Sequence, residues 1–214
     1  MTIAHDKQRQ HICNLIRQSK LVAIIRQAKQ NHVASVVQCL VKGGVNILEI
    51  TSNTPGFTAE ITKARSLYPQ TLIGAGTIIN ETLAMEAIAA GAQFLVTPNT
   101  HEKVVKIAHA SGIPVLMGAL TPTEIANAKH FGADFIKVFP AGIMGTKYIK
   151  DLAGPFDSTE FIAVGGVNSE NIKHWLAAGA IGVGVGNDLT QRVKTEKEKS
   201  ELIEHAKNYV RKLS

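Results

Sequence analysis

The sequence contains few cysteines and few aromatic residues, and both shortages narrow the class of protein. Its 214 residues include two cysteines, Cys13 and Cys39, which stand among aliphatic residues and belong to no C-x-x-C pair. Such cysteines are typical of buried free thiols in a reducing compartment, so we expect a cytoplasmic protein. Aromatic residues make up only 5% of the chain, and an aromatic-rich basic surface for nucleic acid is therefore not expected.

Long apolar runs and a secretory leader are also missing. No apolar stretch reaches the roughly 18–20 residues that a membrane-spanning helix needs. The first seven residues lack the basic-then-apolar order of a signal peptide. The sequence therefore predicts neither a membrane partner nor secretion.

The formal net charge of +6 raises the question of an anionic partner. The basic residues are scattered along the chain, and segment 194–199 alternates in sign, as a solvated helix face does. This pattern argues against nucleic acid as a partner. A modest positive field would instead attract a small anionic substrate.

The eight histidines form no familiar metal-binding pattern, since neither H-x-H nor H-E-x-x-H occurs. His101 and His109 flank a helix-like segment, and His130 and His174 lie near predicted helix ends. We expect these side chains to be solvated or to cap helices. The sequence therefore predicts no metal site and no cofactor.

Short apolar runs and longer amphipathic stretches alternate along the chain and predict strands and helices in turn. A helix at residues 6–19 precedes the first strand, and one at residues 201–212 is expected to pack on the outside after the last strand. The eight predicted strands cover residues 21–26, 45–51, 71–75, 94–97, 114–117, 135–139, 159–164 and 181–185.

Eight β-then-α units at spacings of about 20–25 residues predict an α/β fold, the (β/α)₈ or TIM barrel, with an extra N-terminal helix. An open doubly wound sheet is the main alternative. Its glycine-rich dinucleotide turn follows the first strand, where this chain has the sequence RQAK at residues 26–29. Because no linker interrupts the pattern, residues 1–214 are expected to form a single domain.

A lysine inside the sixth predicted strand is the first candidate for catalysis. Phe135, Lys137 and Phe139 alternate onto one face of this strand, so the ammonium lies among phenylalanines. Poor hydration lowers a lysine pKa from about 10.4 toward roughly 7–8, where the amine becomes a nucleophile that can form a Schiff base. For an isolated lysine, an ammonium that reaches solvent or pairs with a carboxylate is the alternative.

The carboxyl ends of barrel strands carry the chemistry of this fold. Arg26 ends the first strand, Glu49 lies in the second and Lys137 lies in the sixth. Each alone has an ordinary structural explanation, such as a surface position or an ion pair. Three charged groups facing one barrel mouth would each cost desolvation energy, which favours a catalytic site.

Glycines follow the seventh and eighth predicted strands, where barrel enzymes often bind phosphate. At Gly165-Gly166 and Gly186-Asn187, backbone N–H groups can approach the oxygens of an anion. Asp188 argues against this interpretation as a like charge, unless its carboxylate turns away to cap the helix.

These residues together resemble the 2-keto-3-deoxy-6-phosphogluconate (KDPG) aldolase family of class I aldolases, along nearly the full chain. The matching segments are GGV (43–45), LEIT (48–51), GAGT (74–77), GAQF (91–94), TP (97–98), KVFP (137–140), AGPF (153–156) and GGV (165–167). The resemblance implies a homotrimeric barrel that cleaves a 2-keto-3-deoxy-6-phospho sugar acid to pyruvate and glyceraldehyde 3-phosphate.

The resemblance also implies roles for individual residues. Lys137 would form the Schiff base with the C2 carbonyl, and Glu49 would shuttle protons through water. Arg26, Thr77 and the Pro98 turn would hold the pyruvate carboxylate. The other substrate-binding positions would be Gly118 and Phe139, with Gly165, Gly166, Gly186 and Asn187 at the phosphate.

Three positions depart from the pattern of many members. Asn53 replaces a substrate-binding arginine, Val164 replaces a threonine and Asn187 replaces a serine of the phosphate loop. Asn53, TPN (97–99) and AVGGV (163–167) look closer to the branch that acts on the galactonate epimer. In that branch the valine would no longer discriminate through a hydroxyl contact to the C4 hydroxyl of the substrate. Loss of the serine leaves open a non-phosphorylated substrate, 4-hydroxy-2-oxoglutarate.

Two further classes of function stay open. A phosphosugar isomerase or epimerase would use Glu49 as a base and would form no covalent adduct with a keto acid. A phosphosugar sensor would bind its ligand without turnover. The residues alone decide neither the C4 epimer nor the phosphate requirement, and the trimer rests on the resemblance.

Overall fold

A computed structural model describes residues 3–213, and within them eight parallel strands close into a barrel in chain order. The last strand pairs with the first, Leu21 opposite Val183, so the sheet has no edge. This is the predicted (β/α)₈ architecture. The strands are β1 (Leu21–Ile25), β2 (Ile47–Thr51), β3 (Leu72–Gly76), β4 (Leu95–Val96), β5 (Val115–Ala119), β6 (Phe135–Val138), β7 (Phe161–Val164) and β8 (Gly182–Val185).

Helices cover the outside of the barrel, and every strand residue is buried, as expected for a parallel sheet covered on its faces. In the described part of the chain, no helix combines the length and the apolar character needed to cross a membrane. The helices are α1 (Ile3–Ser19), α2 (Val33–Lys42), α3 (Phe57–Leu67), α4 (Glu81–Ala89), α5 (Glu102–Ala110), α6 (Pro122–His130), α7 (Ala141–Met144), α8 (Thr146–Ala153), α9 (Ile172–Ala177) and α10 (Glu196–Leu213).

Two parts of the helical layer differ from the sequence prediction. Helices α7 and α8 fill the connection after β6, where no helix was predicted, because glycines such as Gly145 break this connection into short pieces. Helix α10 begins five residues before the predicted start at residue 201. Its first turn is closed by Thr195 and Glu198, since each side chain accepts a hydrogen bond from the backbone N–H of the other. As predicted, α10 packs on the outside, against α2.

The predicted N-terminal helix, α1, closes the amino-terminal end of the barrel. Arg9 donates to Asp134, just before β6, with 2.9 Å between Nη1 and Oδ1. Arg17 binds the carboxylate of Glu160, just before β7, with 2.7 Å between Nη2 and Oε2. Between them Cys13 is buried. With this end covered, the carboxyl ends of the strands are the open side of the barrel.

Asp134 is the centre of a buried polar cluster. Its carboxylate accepts hydrogen bonds from the Val115 N–H at 2.9 Å and from Arg9, and it lies 2.9 Å from Nε2 of His109. The prediction that His109 is solvated or caps a helix is therefore wrong. His109 follows Val105 by one helical turn on the buried face of α5, and Asp134 supplies the partner that its ring needs.

The other three histidines lie closer to the prediction. His130 and His174 are exposed near helix ends. His101 is half-buried, with its Nε2 3.8 Å from Oε2 of Glu81. Of the four, only His109 takes part in the buried cluster.

Replacing Asp134 by alanine tests the cluster. Asp134→Ala is expected to lower the free energy of unfolding by about 3–5 kcal/mol, because it leaves the largely buried Arg9 without its counter-charge. Asp6→Ala is the control: this carboxylate, 48% exposed, pairs with the same arginine, and its loss should cost about 0–1 kcal/mol. Urea unfolding of both variants measures the difference, and equal losses would contradict the assigned role of Asp134.

Candidate active site

A cavity of about 460 Å³ opens at the carboxyl ends of the strands. Residues that are distant in sequence meet there because parallel strands end at one rim. The cavity brings together nine of the predicted site residues: Arg26, Thr77, Pro98, Lys137, Phe139, Gly165, Gly166, Gly186 and Asn187. A second cavity, of about 510 Å³, lies beside α1 at the opposite end, but among the described residues its lining includes no lysine, arginine or carboxylate. The cavity at the carboxyl ends, which holds most of the predicted site residues, is therefore the candidate active site.

Lys137 and Glu49 are almost fully withdrawn from water, at 6% and 2% exposure. Burial lowers the pKa of the Lys137 amine below its ordinary value, although the charge of Glu49 acts in the opposite direction. Burial likewise raises the pKa of the Glu49 carboxyl, against the influence of Lys137 and Arg26. Both shifts favour the neutral forms, which are a nucleophilic amine and a carboxyl that can give up a proton.

Lys137 reaches the cavity because β6 alternates its side chains between two surroundings. Ile136 and Val138, its neighbours in the strand, are fully buried apolar residues. Lys137 Nζ lies 5.0 Å from the centre of the Phe139 ring, which forms part of the cavity wall. The predicted contact with Phe139 is therefore present, whereas the ring of Phe135, the other predicted neighbour, lies 5.3 Å from Cζ of Arg17.

The carboxylate of Glu49 occupies a space that a glycine leaves open. A Cβ atom at Gly76 would lie 1.6 Å from Oε1 of Glu49, a distance that no side chain allows. The register of β2 and β3 fixes this approach, since Glu49 lies opposite Gly74 and Thr51 opposite Gly76. Glu49 does not line the cavity, but its charge acts on the Lys137 amine, which does.

The turn after β3 holds Thr77 in a left-handed conformation, with φ of 58°. Such a conformation costs a residue other than glycine about 1–3 kcal/mol and needs support from its surroundings. Ser52 provides it: the Ser52 N–H donates to the Gly76 carbonyl at 2.8 Å, and its hydroxyl donates to the Thr77 carbonyl at 2.7 Å. The Thr77 hydroxyl then lies 3.5 Å from Nη2 of Arg26. Sequence reasoning missed Ser52, since nothing near it in sequence indicates a contact with Thr77.

Gly118 lies outside the cavity lining, unlike the other glycines of the predicted site. It is opposite Lys137 in the register of β5 and β6. A Cβ atom at Gly118 would lie 2.3 Å from the carbonyl carbon of Pro98, and the Gly118 N–H donates to the Thr97 hydroxyl at 2.9 Å. Gly118 therefore supports the Pro98 turn from behind.

The loop after β7 has the glycine conformations that a phosphate-binding turn requires. Gly165 and Gly166 have φ of 93° and 75°. Their carbonyl oxygens are engaged outside the cavity, by the Gly142 N–H and the Asn171 side chain, each at 2.8 Å. An anion at this loop would therefore meet little repulsion from those oxygens.

The carboxylate of Asp188, in the loop after β8, is turned toward α10. It accepts a hydrogen bond from the Tyr209 hydroxyl and lies 3.1 Å from Nε2 of His205. The sequence allowed an anion site here only if this carboxylate turned away to cap a helix. The carboxylate does turn away, although it contacts side chains of α10 and does not cap a helix.

One wall of the cavity is apolar, and sequence reasoning missed two of its members, Ile24 and Gly184. A Cβ atom at Gly184 would lie 2.8 Å from Cγ2 of Val164 and 3.0 Å from Cδ1 of Ile24. These residues look like ordinary strand residues in the sequence, and only closure of the barrel brings them to the cavity.

Comparison with known proteins identifies the family. The model of the KDPG and KHG aldolases matches residues 12–206. The chain belongs to this family. Over 172 residues it is 36% identical to the 2-dehydro-3-deoxy-6-phosphogalactonate aldolase of Escherichia coli (strain K12), covering 79% of this chain and 83% of that protein.

Other relatives agree with this family. Over 158 residues the chain is 34% identical to the 2-dehydro-3-deoxy-phosphogluconate aldolase of Dickeya dadantii (strain 3937), covering 73% of this chain and 74% of that one. A solved structure described as native KDPGal superposes with a TM-score of 0.82 at 33% identity, covering 89% of this chain and 92% of its own. The predicted family is confirmed, and the chain is an aldolase, an enzyme that cleaves or forms carbon–carbon bonds.

The contact between Gly76 and Glu49 gives a test of the aldolase site. Gly76→Ala is expected to displace the Glu49 carboxylate and to lower kcat by about 100-fold or more, as small misplacements of catalytic groups do. Gly154→Ala is the matched control, because Gly154 has an ordinary helical φ of −62° and its added Cβ would have its closest contact at 3.5 Å. Steady-state kinetics with circular dichroism as a check of folding compares the two, and a Gly76→Ala enzyme of normal kcat would refute the packing argument.

Proposed function

We propose that this class I aldolase uses Lys137 to form a Schiff base with a 2-keto-3-deoxy-6-phospho sugar acid, which it cleaves reversibly to pyruvate and glyceraldehyde 3-phosphate. The observation that carries the proposal is a buried lysine of lowered pKa at the wall of the cavity that also holds the glycine loops. The names of the family and of the relatives at 32–36% identity support the substrate class.

The proposed reaction uses the neutral forms that burial favours at Lys137 and Glu49. The Lys137 amine adds to the C2 carbonyl, and the resulting carbinolamine loses water to give an iminium ion. Loss of the C4 hydroxyl proton then breaks the C3–C4 bond, and its electron pair moves into the iminium, leaving an enamine and releasing the aldehyde. Protonation of the enamine at C3 and hydrolysis return pyruvate and the free lysine.

Glu49 is proposed to carry protons in these steps through a water molecule. A carboxyl whose pKa is raised by burial can give and accept protons near neutral pH more readily than an exposed one. Glu49 lies outside the cavity lining but acts on the lysine electrostatically, which suits a group that exchanges protons through water.

The two ends of the substrate are proposed to bind on opposite sides of Lys137. Arg26, Thr77 and the Pro98 turn hold the pyruvate carboxylate, with Gly118 behind that turn and Phe139 beside the amine. Arginine offers several donors and a permanent charge to a carboxylate. The phosphate binds at Gly165, Gly166, Gly186 and Asn187, and Asn187 can donate from its amide in place of a serine.

The apolar wall bears on the choice of epimer. Val164 cannot hydrogen-bond to the C4 hydroxyl, so we propose that the enzyme accepts the galactonate type of substrate and does not select against it through this contact. 4-Hydroxy-2-oxoglutarate, which would give pyruvate and glyoxylate, is the second candidate substrate, because Asn187 replaces the phosphate-loop serine.

We further propose that residues 1–214 act as a single domain in a cytoplasmic homotrimer. Phe139, Ile143 and Met144 expose 36%, 76% and 41% of their surface next to the cavity, which suits a subunit contact. One structural neighbour, with 31% identity and a TM-score of 0.83, is described as a cage built by fusing symmetric oligomeric domains. Cys13 and Cys39 are buried free thiols, which suits a reducing compartment.

Borohydride reduction in the presence of pyruvate tests the Schiff base. Peptide mass spectrometry is expected to find the reduced pyruvyl adduct on Lys137, because the iminium is the species that borohydride traps. Lys137→Met should remove the adduct and all turnover but keep the fold. Glu49→Gln should still bind pyruvate and should turn over about 10²–10⁴-fold more slowly, since proton transfer is impaired. An adduct on another lysine, or none on folded protein, would overturn the assignment.

Val164→Thr tests the choice of epimer. Restoring a hydroxyl at this wall is expected to change the ratio of kcat/KM for the gluconate and galactonate substrates by about tenfold, the value of one hydrogen bond to substrate. Val167→Thr places the same hydroxyl at another valine of the cavity and should leave the ratio unchanged. If both variants keep the wild-type ratio, Val164 does not determine the specificity.

A further inference from the structure

Asp188 brings a negative charge to the site where the proposed function places a phosphate. It follows Gly186 and Asn187 directly, lines the same cavity, and its side chain is 40% exposed. A carboxylate free to turn toward these residues would repel a phosphate, since like charges brought together at a binding site weaken binding strongly. The contacts of this carboxylate therefore bear on the affinity for the phosphate end of the substrate.

Two side chains of α10 hold the carboxylate by one oxygen. The Tyr209 hydroxyl donates to Oδ2 of Asp188, and Nε2 of His205 lies 3.1 Å from the same atom. The two rings brace each other edge to face, with 5.2 Å between their centres. Tyr209 is fully buried. Its pKa is raised, by burial first and by the bond to Asp188, so the hydroxyl remains a donor at neutral pH.

The backbone of the loop after β8 has supports of its own. The Leu189 and Thr190 N–H groups donate to the Gly186 carbonyl at 2.8 and 3.0 Å. The Thr190 hydroxyl donates to the Ile24 carbonyl at 2.7 Å. These bonds do not involve Asp188, so loss of the Tyr209 hydroxyl would leave the carboxylate with His205 as its remaining contact from α10, loosen it, and leave the loop backbone in place.

We infer that Tyr209 and His205 are positioning residues that keep the Asp188 carboxylate away from the phosphate subsite. The C-terminal helix then sets the affinity for the phosphate end of the substrate, although it touches no reacting atom. This inference rests on the proposed function, because it concerns the same cavity and the same anion.

Tyr209→Phe removes the hydroxyl and keeps the ring. We expect the dissociation constant for inorganic phosphate, measured by ³¹P NMR titration, and the KM for the phosphorylated substrate to rise about tenfold or more through repulsion by the freed carboxylate. The affinity for pyruvate, measured by borohydride trapping, should stay the same. Tyr68→Phe, at the C-terminal end of α3 and outside the cavity lining, is the matched control and should change neither constant.

A second substitution separates charge from distortion of the loop. Tyr209→Phe combined with Asp188→Asn is expected to restore phosphate affinity, because an amide does not repel phosphate. Asp188→Asn alone should not raise the KM. Unchanged affinity in Tyr209→Phe, or a double variant as weak as the single one, would overturn the inference. Phosphate titration needs no turnover. The inference can therefore fail while the adduct on Lys137 forms, and it can hold while no adduct forms.

Discussion

Withdrawal of Lys137 and Glu49 from water is the constraint on which the rest of the site depends. A charged amine or carboxylate inside a barrel is costly, and the cost falls when both groups become neutral or lie near each other. The barrel meets this constraint by placing them on β6 and β2, with Arg26 as a further charge. The same desolvation that would destabilise an ordinary core shifts the pKa values of both groups toward their neutral forms.

The two ends of the barrel solve different problems. At the amino end α1 covers the strands, and its arginines Arg9 and Arg17 bind carboxylates that precede β6 and β7. At the carboxyl end, glycines leave room for neighbouring groups, as Gly76 does for the Glu49 carboxylate. Ion pairs with α1 therefore stabilise the amino end of the barrel, whereas glycines shape the carboxyl end.

Much of this could be predicted from the sequence, because the relevant signals are local. Alternation of short apolar runs and amphipathic stretches predicted all eight strands, and the strand period placed Lys137 beside Phe139. The error at His109 comes from dependence on a distant residue, because its buried partner, Asp134, is 25 positions away. Helices α7 and α8 were missed for another reason, which is that glycines such as Gly145 break the connection after β6 into short pieces.

Residues that support the site through distant contacts are also hard to predict from the sequence. Ser52 supports the strained Thr77 from 25 positions away, and Tyr209 holds Asp188 from 21. Neither has a sequence motif, because a hydroxyl that bonds to a carbonyl or a carboxylate looks the same anywhere in a chain. Family membership follows from the match over residues 12–206. Supporting contacts such as those of Ser52 and Tyr209 appear only when the barrel closes.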